Sequence, residues 1–130
     1  MPASDLRAAM DHSTTMRAMF MKYVQVLVVQ TAHTAIANSV GKLHERLARW
    51  LLMAHDRVEA DKLVLTHEFL SIMLAVRRAG VTEAVGKLEE KELIACSRGV
   101  VTVLNRKGLE KTAGTFYGTP EREYRRLVVA

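Results

Sequence analysis

One cysteine, Cys96, stands in a chain of 130 residues. That excludes an intramolecular disulfide and any cysteine-based metal cluster, and it is ordinary for a reducing cytosol. No apolar run approaches the length needed to cross a membrane, and residues 1–20 have no signal-peptide core, so the expected location is cytoplasmic, without a membrane partner. His12, His33, His44, His55 and His67 are scattered with no ligand spacing, and surface or capping roles suit them better than a metal site. Nucleophile-and-base pairing and a phosphate-cradling glycine loop are both missing. Glu89, Glu90 and Glu92 read as a charged helix face, so neither an enzyme nor a bound cofactor is expected. Internal repeats and low-complexity tracts are absent as well.

What is present is a chain with 49% hydrophobic residues, enough to build one modest domain with an extension. The net charge of +5 is spread along the sequence and suits a partner that carries phosphates.

Residues 66–94 are the most informative stretch. Thr66 is a good N-cap with acidic Glu68 in the first turn, and Phe69, Leu70, Met73 and Leu74 recur at helical spacing. This helix should stop near Ala75. A second helix follows, with Val81, Ala84, Val85 and Leu88 on one stripe and Ala79, Thr82, Glu83, Gly86 and Lys87 on the opposite face. Two short helices joined by a tight turn match a DNA-binding helix-turn-helix, with an αα-corner of any helical domain as the alternative. The small residues Ala79, Gly80 and Gly86 permit a close backbone approach to base edges. Arg77 and Arg78 stand at the helix N-terminus, where free amides already favour phosphate.

Upstream, Ser4 is placed to cap a short helix running to about Met10, and residues 11–15 punctuate it. A helical pattern of about 25 residues then starts at Thr15 and meets no glycine or proline before Gly41. The β-branched run at residues 23–29 stays helical in this reading, since the apolar trend continues for another turn without a turn residue. Met16, Phe20, Tyr23, Leu27, Gln30, Thr34 and Ala37 form one seam of this helix, while Val24, Val28 and Ala35 lie on another side. The seam is either the core of a helical bundle or a parallel dimer interface in which Gln30 and Thr34 fix the register. Asn38, Ser39 and Gly41 should form a hinge, and residues 42–58 a further amphipathic helix with Leu43, Leu47, Trp50, Leu51 and Ala54 facing the core.

Residues 63–65 read as a short strand. Two alternating segments, 94–97 and 100–104, flank Arg98 and Gly99, a two-residue hairpin turn in which glycine supplies positive φ. A hairpin directly after the second helix is a candidate wing, and Arg98 at its tip a candidate phosphate contact; a hairpin that covers the core fits as well. A helix over 105–113 should be capped by Asn105 and weakened by Gly108. The tail from Gly114 is either loosely ordered or packed back on the domain.

The order of these parts, with RLARWLLMAHDRV at residues 46–58 and LTHEFLSIMLAVRRAGVTEAVGKLEEKELI at 65–94, resembles the C-terminal half of the Crp/Fnr family of bacterial transcription regulators. The resemblance covers roughly residues 5–113. It implies a mainly α fold with a small β-hairpin wing: a short helix and a long dimerisation helix in residues 1–41, a winged helix-turn-helix in 42–113 and a tail in 114–130. It further implies homodimers on a palindromic operator of double-stranded DNA, with RNA polymerase as a candidate further partner and a recognition helix at about 78–91. Thr66, Arg77, Arg78, Gly80, Thr82, Glu83, Lys87 and Arg98 are the candidate DNA contacts. Relatives of this type carry an N-terminal β-roll sensory domain that has no counterpart here, so the sequence reads as a fragment or as a naturally short form. A second function, forming mixed dimers with a full-length regulator to modulate it, is open on the same grounds. The recognition helix departs from the family pattern: Arg78 matches its first arginine, but Ala79 stands where glutamate is usual and Glu83 where a second arginine is usual.

Overall fold

Helix α1 (Ala3–His12) starts after Pro2 without a side-chain cap, so the expected Ser4 cap is replaced by a proline-preset entry. Ser4 lies inside the first turn and its hydroxyl points to Asp5. The break that follows is narrower than the sequence suggests, because Ser13 serves both helices. Its N–H closes α1 on the Ala9 carbonyl, and its Oγ accepts the Met16 N–H at 3.2 Å to cap α2 (Thr14–Val40). Helix α2 also outlasts the expected hinge, running through Asn38 and Ser39 and breaking only at Gly41. There the Gly41 N–H bonds the Ala37 carbonyl, and a Cβ would stand 2.5 Å from that oxygen. The β-branched run is helical, as expected.

The computed structural model describes residues 1–129 and divides them into two compact units, residues 1–35 with 118–129 and residues 36–117. The second unit holds the main core. Its centre is α3 (Leu43–His55), whose Leu47, Ala48, Leu51 and Leu52 are buried at the spacing of one helical face. Against it pack α5 (Arg78–Glu90) and α6 (Arg106–Ala113). Fully burying leucines of this kind contributes about 1.5–3 kcal/mol each.

Three short strands close the unit in the antiparallel order β1-β3-β2: β1 (Lys62–Val64), β2 (Ile94–Ser97) and β3 (Val100–Val103). The first lies one residue earlier than its sequence pattern indicates, and pairing of Lys62 with Thr102 and Leu63 with Val101 sets that register. Leu104 falls outside β3 because its N–H turns to the Leu93 carbonyl. Asn105 caps α6 by accepting the Gly108 N–H at 2.9 Å. Gly108 lowers helix propensity, yet it is required here: a Cβ would collide with the Leu93 side chain. Beyond α6 the chain is not loose. A 3₁₀ turn (Gly114–Phe116), α7 (Thr119–Tyr124) and a π-helical turn (Arg125–Val129) order it.

Three arginines tie distant segments of the second unit together. Buried Arg49 donates from Nε to the Phe116 carbonyl at 2.9 Å. Arg106 reaches Asp56 at 2.6 Å, the Tyr117 hydroxyl at 2.7 Å and His55 Nδ1 at 2.7 Å, while Tyr117 donates to Asp56 at 2.6 Å. Arg46 donates from Nη2 to the Leu74 carbonyl at 2.6 Å. Leu74 ends α4 (His67–Leu74), so α3 holds the otherwise unsatisfied end of the first helix of the helix-turn-helix.

Candidate nucleic-acid interface

Thr66 accepts the Phe69 N–H at 3.1 Å and caps α4, whose inner residues Leu70 and Leu74 enter the core. Phe69 meets Trp50 edge to face at 5.8 Å. Ala75 then takes a left-handed conformation (φ 53°), with its N–H on the Ile72 carbonyl and the Val76 N–H on that of Ser71. This closure ends α4 within a residue and turns the chain into Arg77, the N-cap of α5.

Helix α5 buries Val81, Ala84, Val85 and Leu88 and exposes Arg78, Ala79, Thr82, Glu83 and Lys87, the division its 3.6-residue period dictates. A Cβ on Gly86 would meet nothing within 4 Å, so this part of the face is open. Gly80 is different. A Cβ there would lie 3.2 Å from Leu43 Cδ2, so its small size lets α5 approach α3. Arg77 and Arg78 place two cations at a helix N-terminus, which the helix dipole disfavours until an anion arrives. Glu83 and Lys87 form an exposed pair at 3.1 Å, worth at most about 1 kcal/mol and readily exchanged for another partner. Beyond the Lys91 C-cap of α5, Glu92 is also left-handed (φ 55°), and the Leu93 N–H bonds the Leu88 carbonyl.

At the hairpin tip Ser97 pairs with Val100, which leaves a two-residue turn. Both of its residues have positive φ, Arg98 at 50° and Gly99 at 75°, as the primed turn favoured in hairpins requires. Arg98 thus bears a conformation that sequence reading gave to the glycine alone. The Gly99 carbonyl accepts the Leu65 N–H at 2.9 Å, and a Cβ on Gly99 would lie 3.3 Å from Thr66 Cγ2. The wing tip is therefore seated against the start of α4.

Between α5 and the hairpin lies a cleft of about 290 Å³, lined among others by His67, Thr82, Glu89, Cys96, Arg98 and Gly99. Of the candidate contacts, Thr82 and Arg98 line this cleft, and Thr66 lies against Gly99 of the same turn. Arg77 and Arg78 follow at the start of α5, and Lys87 stands farther along the same helix. His67 carried no signal beyond its position next to a cap, but its Nδ1 lies 3.2 Å from Thr82 Oγ1. The Cys96 thiol is pushed up to about 11 by burial and then by the charge of Glu89, so it stays protonated and unreactive near neutrality. Among the described residues no group of three His, Cys, Asp or Glu side chains is placed to hold a metal ion. No described helix is long and apolar enough to cross a membrane.

The seam of α2 is a second candidate surface. Only Val26 and Ala37 are buried along the whole helix, while Phe20, Tyr23 and Leu27 are exposed and Met16, Gln30 and Thr34 are partly so. A large exposed apolar face of this sort is a candidate interaction surface.

A family model described as a Crp-like helix-turn-helix domain matches residues 45–112. Among solved structures, a Crp/Fnr-family regulator from Eubacterium rectale aligns with a TM-score of 0.65 at 22% identity, over 86% of this chain and 52% of that one. A CRP-family transcriptional regulator from Thermus thermophilus aligns with a TM-score of 0.58 at 28% identity, over 88% of this chain and 56% of that one. The catabolite activator protein of the same species aligns with a TM-score of 0.52 at 17% identity, over 85% and 52%. The chain thus spans about half the length of these structures. Comparison with curated proteins finds no match.

Proposed function

The chain belongs to the Crp-like helix-turn-helix family, and on that premise we propose that it is a transcription regulator that binds duplex DNA through α5 and the hairpin wing. The observation that carries this reading is the open face of α5, with Arg78, Thr82 and Lys87 exposed, and a cleft in which Thr82 faces the wing tip at Arg98. Arg78 is the base reader, matched to guanine O6 and N7. Glu83, once released from Lys87, accepts from cytosine N4, and Thr82 serves a base or a phosphate. Thr66, Arg77, Lys87 and Arg98 hold phosphates and set the register. The Gly80 position contributes indirectly, by seating α5 on α3.

The seam Met16, Phe20, Tyr23, Leu27, Gln30 and Thr34, with its three large apolar side chains Phe20, Tyr23 and Leu27 exposed, supports a homodimer formed through α2. Two recognition helices would then enter successive major grooves about 34–36 Å apart on a palindromic operator. RNA polymerase is the further partner such a regulator would meet on DNA.

An anisotropy titration against duplexes from its own upstream region, with random duplex as competitor, tests the reading. Native protein should prefer one of its own duplexes at moderate salt. Arg78→Ala should relax base preference at one operator position by about 1–3 kcal/mol, whereas Arg98→Ala should weaken all sequences alike. Binding no tighter than to random duplex removes the sequence-specific reading, and equal losses from both changes remove the division of roles.

A further inference from the structure

The hydroxyl of Thr82 has one proton to give and two neighbours. The Arg78 carbonyl, 3.1 Å from Oγ1, accepts only, and this back-bonded arrangement is the usual one for a helical threonine. With that proton on the Arg78 carbonyl, His67 Nδ1, 3.2 Å from the same oxygen, is assigned as the donor. A neutral imidazole with its proton on Nδ1 has a bare Nε2, which can accept but cannot donate.

That tautomer is poorly matched to a phosphate. His67 lines the cleft between Thr82 on α5 and Arg98 on the wing, the two sides from which a DNA backbone would be gripped. A lone pair on Nε2 facing phosphate oxygen repels it, whereas a protonated Nε2 makes a charge-assisted hydrogen bond. We propose that His67 is a titrating contact of the DNA interface, each subunit taking up one proton from solvent at Nε2 when a phosphate enters this cleft. The inference rests on the DNA-binding reading above.

The arriving charge sets the sign. Around His67 the cleft holds Arg98 on the wing, Glu89 from α5 and the neutral Cys96 thiol of the hairpin, with Glu68 next to His67 on α4 and Arg78 at the start of α5. A phosphate beside Nε2 favours the protonated form, so the complex holds the proton to higher pH than the free protein does. The gain in affinity is therefore complete at low pH and is lost as pH rises through the titration of the complex, in the range where imidazoles change charge.

The test is anisotropy with a labelled random duplex of about 30 base pairs, long enough for two half-sites, at fixed low ionic strength between pH 6 and pH 8. Native protein should bind about fivefold more tightly per subunit at pH 6 than at pH 8. His67→Asn, whose amide nitrogen can keep the hydrogen bond to Thr82, should lose that rise, and any slope it retains belongs to other groups. His67→Arg, with a fixed charge, should bind at pH 8 about as tightly as native protein does at pH 6. If His67→Asn binds DNA with the native pH slope, the inference is overturned while the DNA-binding reading stands. If native protein binds no duplex even at pH 6, the DNA-binding reading falls and takes this inference with it.

Discussion

Leu27 and Leu51 are the same side chain on two long helices of one chain, 41% exposed on α2 and fully buried on α3. The contrast extends to the helices as wholes. Helix α3 segregates its leucines to one face and finds α5 and α6 there, whereas α2 is apolar around most of its circumference and leaves Phe20, Tyr23, Val24, Leu27 and Val28 exposed. Adjacent residues of α2 show the same division: Val26 is 4% exposed and Leu27 is 41%. Apolar content therefore says that a residue needs a neighbour, but not whether its own chain supplies one. For α3 it does, and for the α2 seam the proposed supplier is a second copy.

Three substitutions distinguish the two helices. The largest effect is expected from Leu51→Ala, which removes a fully buried side chain among packed helices and should cost about 2–5 kcal/mol in urea unfolding. Leu27→Glu keeps helix propensity and should leave the unfolding of residues 36–117 within about 0.5 kcal/mol of native. Its expected effect lies in self-association, weakened by about tenfold or more in sedimentation equilibrium, on the order of 1.5 kcal/mol. If Leu27→Glu unfolds the domain as Leu51→Ala does, the two helices are not different in kind. Tyr117→Phe probes the polar side of the same unit. It deletes the hydroxyl shared by Asp56 and Arg106 but leaves their 2.6 Å ion pair, so a loss of about 1 kcal/mol is expected, with self-association unchanged.

The parts of the fold that were legible in the sequence are those set by neighbours along the chain. Helical periodicity located α3, α4 and α5, the side chains of Thr66 and Asn105 announced their caps, and the spacing around Arg98 and Gly99 announced a two-residue turn. The same local logic separated the inner and outer faces of α5. What escaped was decided by distant partners. Gly108 reads as a weak helix residue until Leu93 is seen against it. Gly80 reads as an opening toward DNA until Leu43 is seen beside it. The Arg46, Arg49 and Arg106 anchors span 28 to 67 residues, and no periodicity signals them. His67 acquires chemical interest only through Thr82, fifteen positions away.

Ala75 and Glu92 stand on either side of α5 and Arg98 at the wing, each holding a backbone conformation that glycine adopts at lower cost. In the genetic code, codons for alanine, glutamate and arginine all lie a single base from a glycine codon. Relief of this strain is thus within one mutational step at all three places, but the outcomes are unequal. At Ala75 the substitution would shed a methyl group and little else, whereas at Arg98 the same step would discard the cation proposed to hold a phosphate. The hairpin tip is where a lineage selected for heat resistance and one selected for DNA affinity would be expected to part.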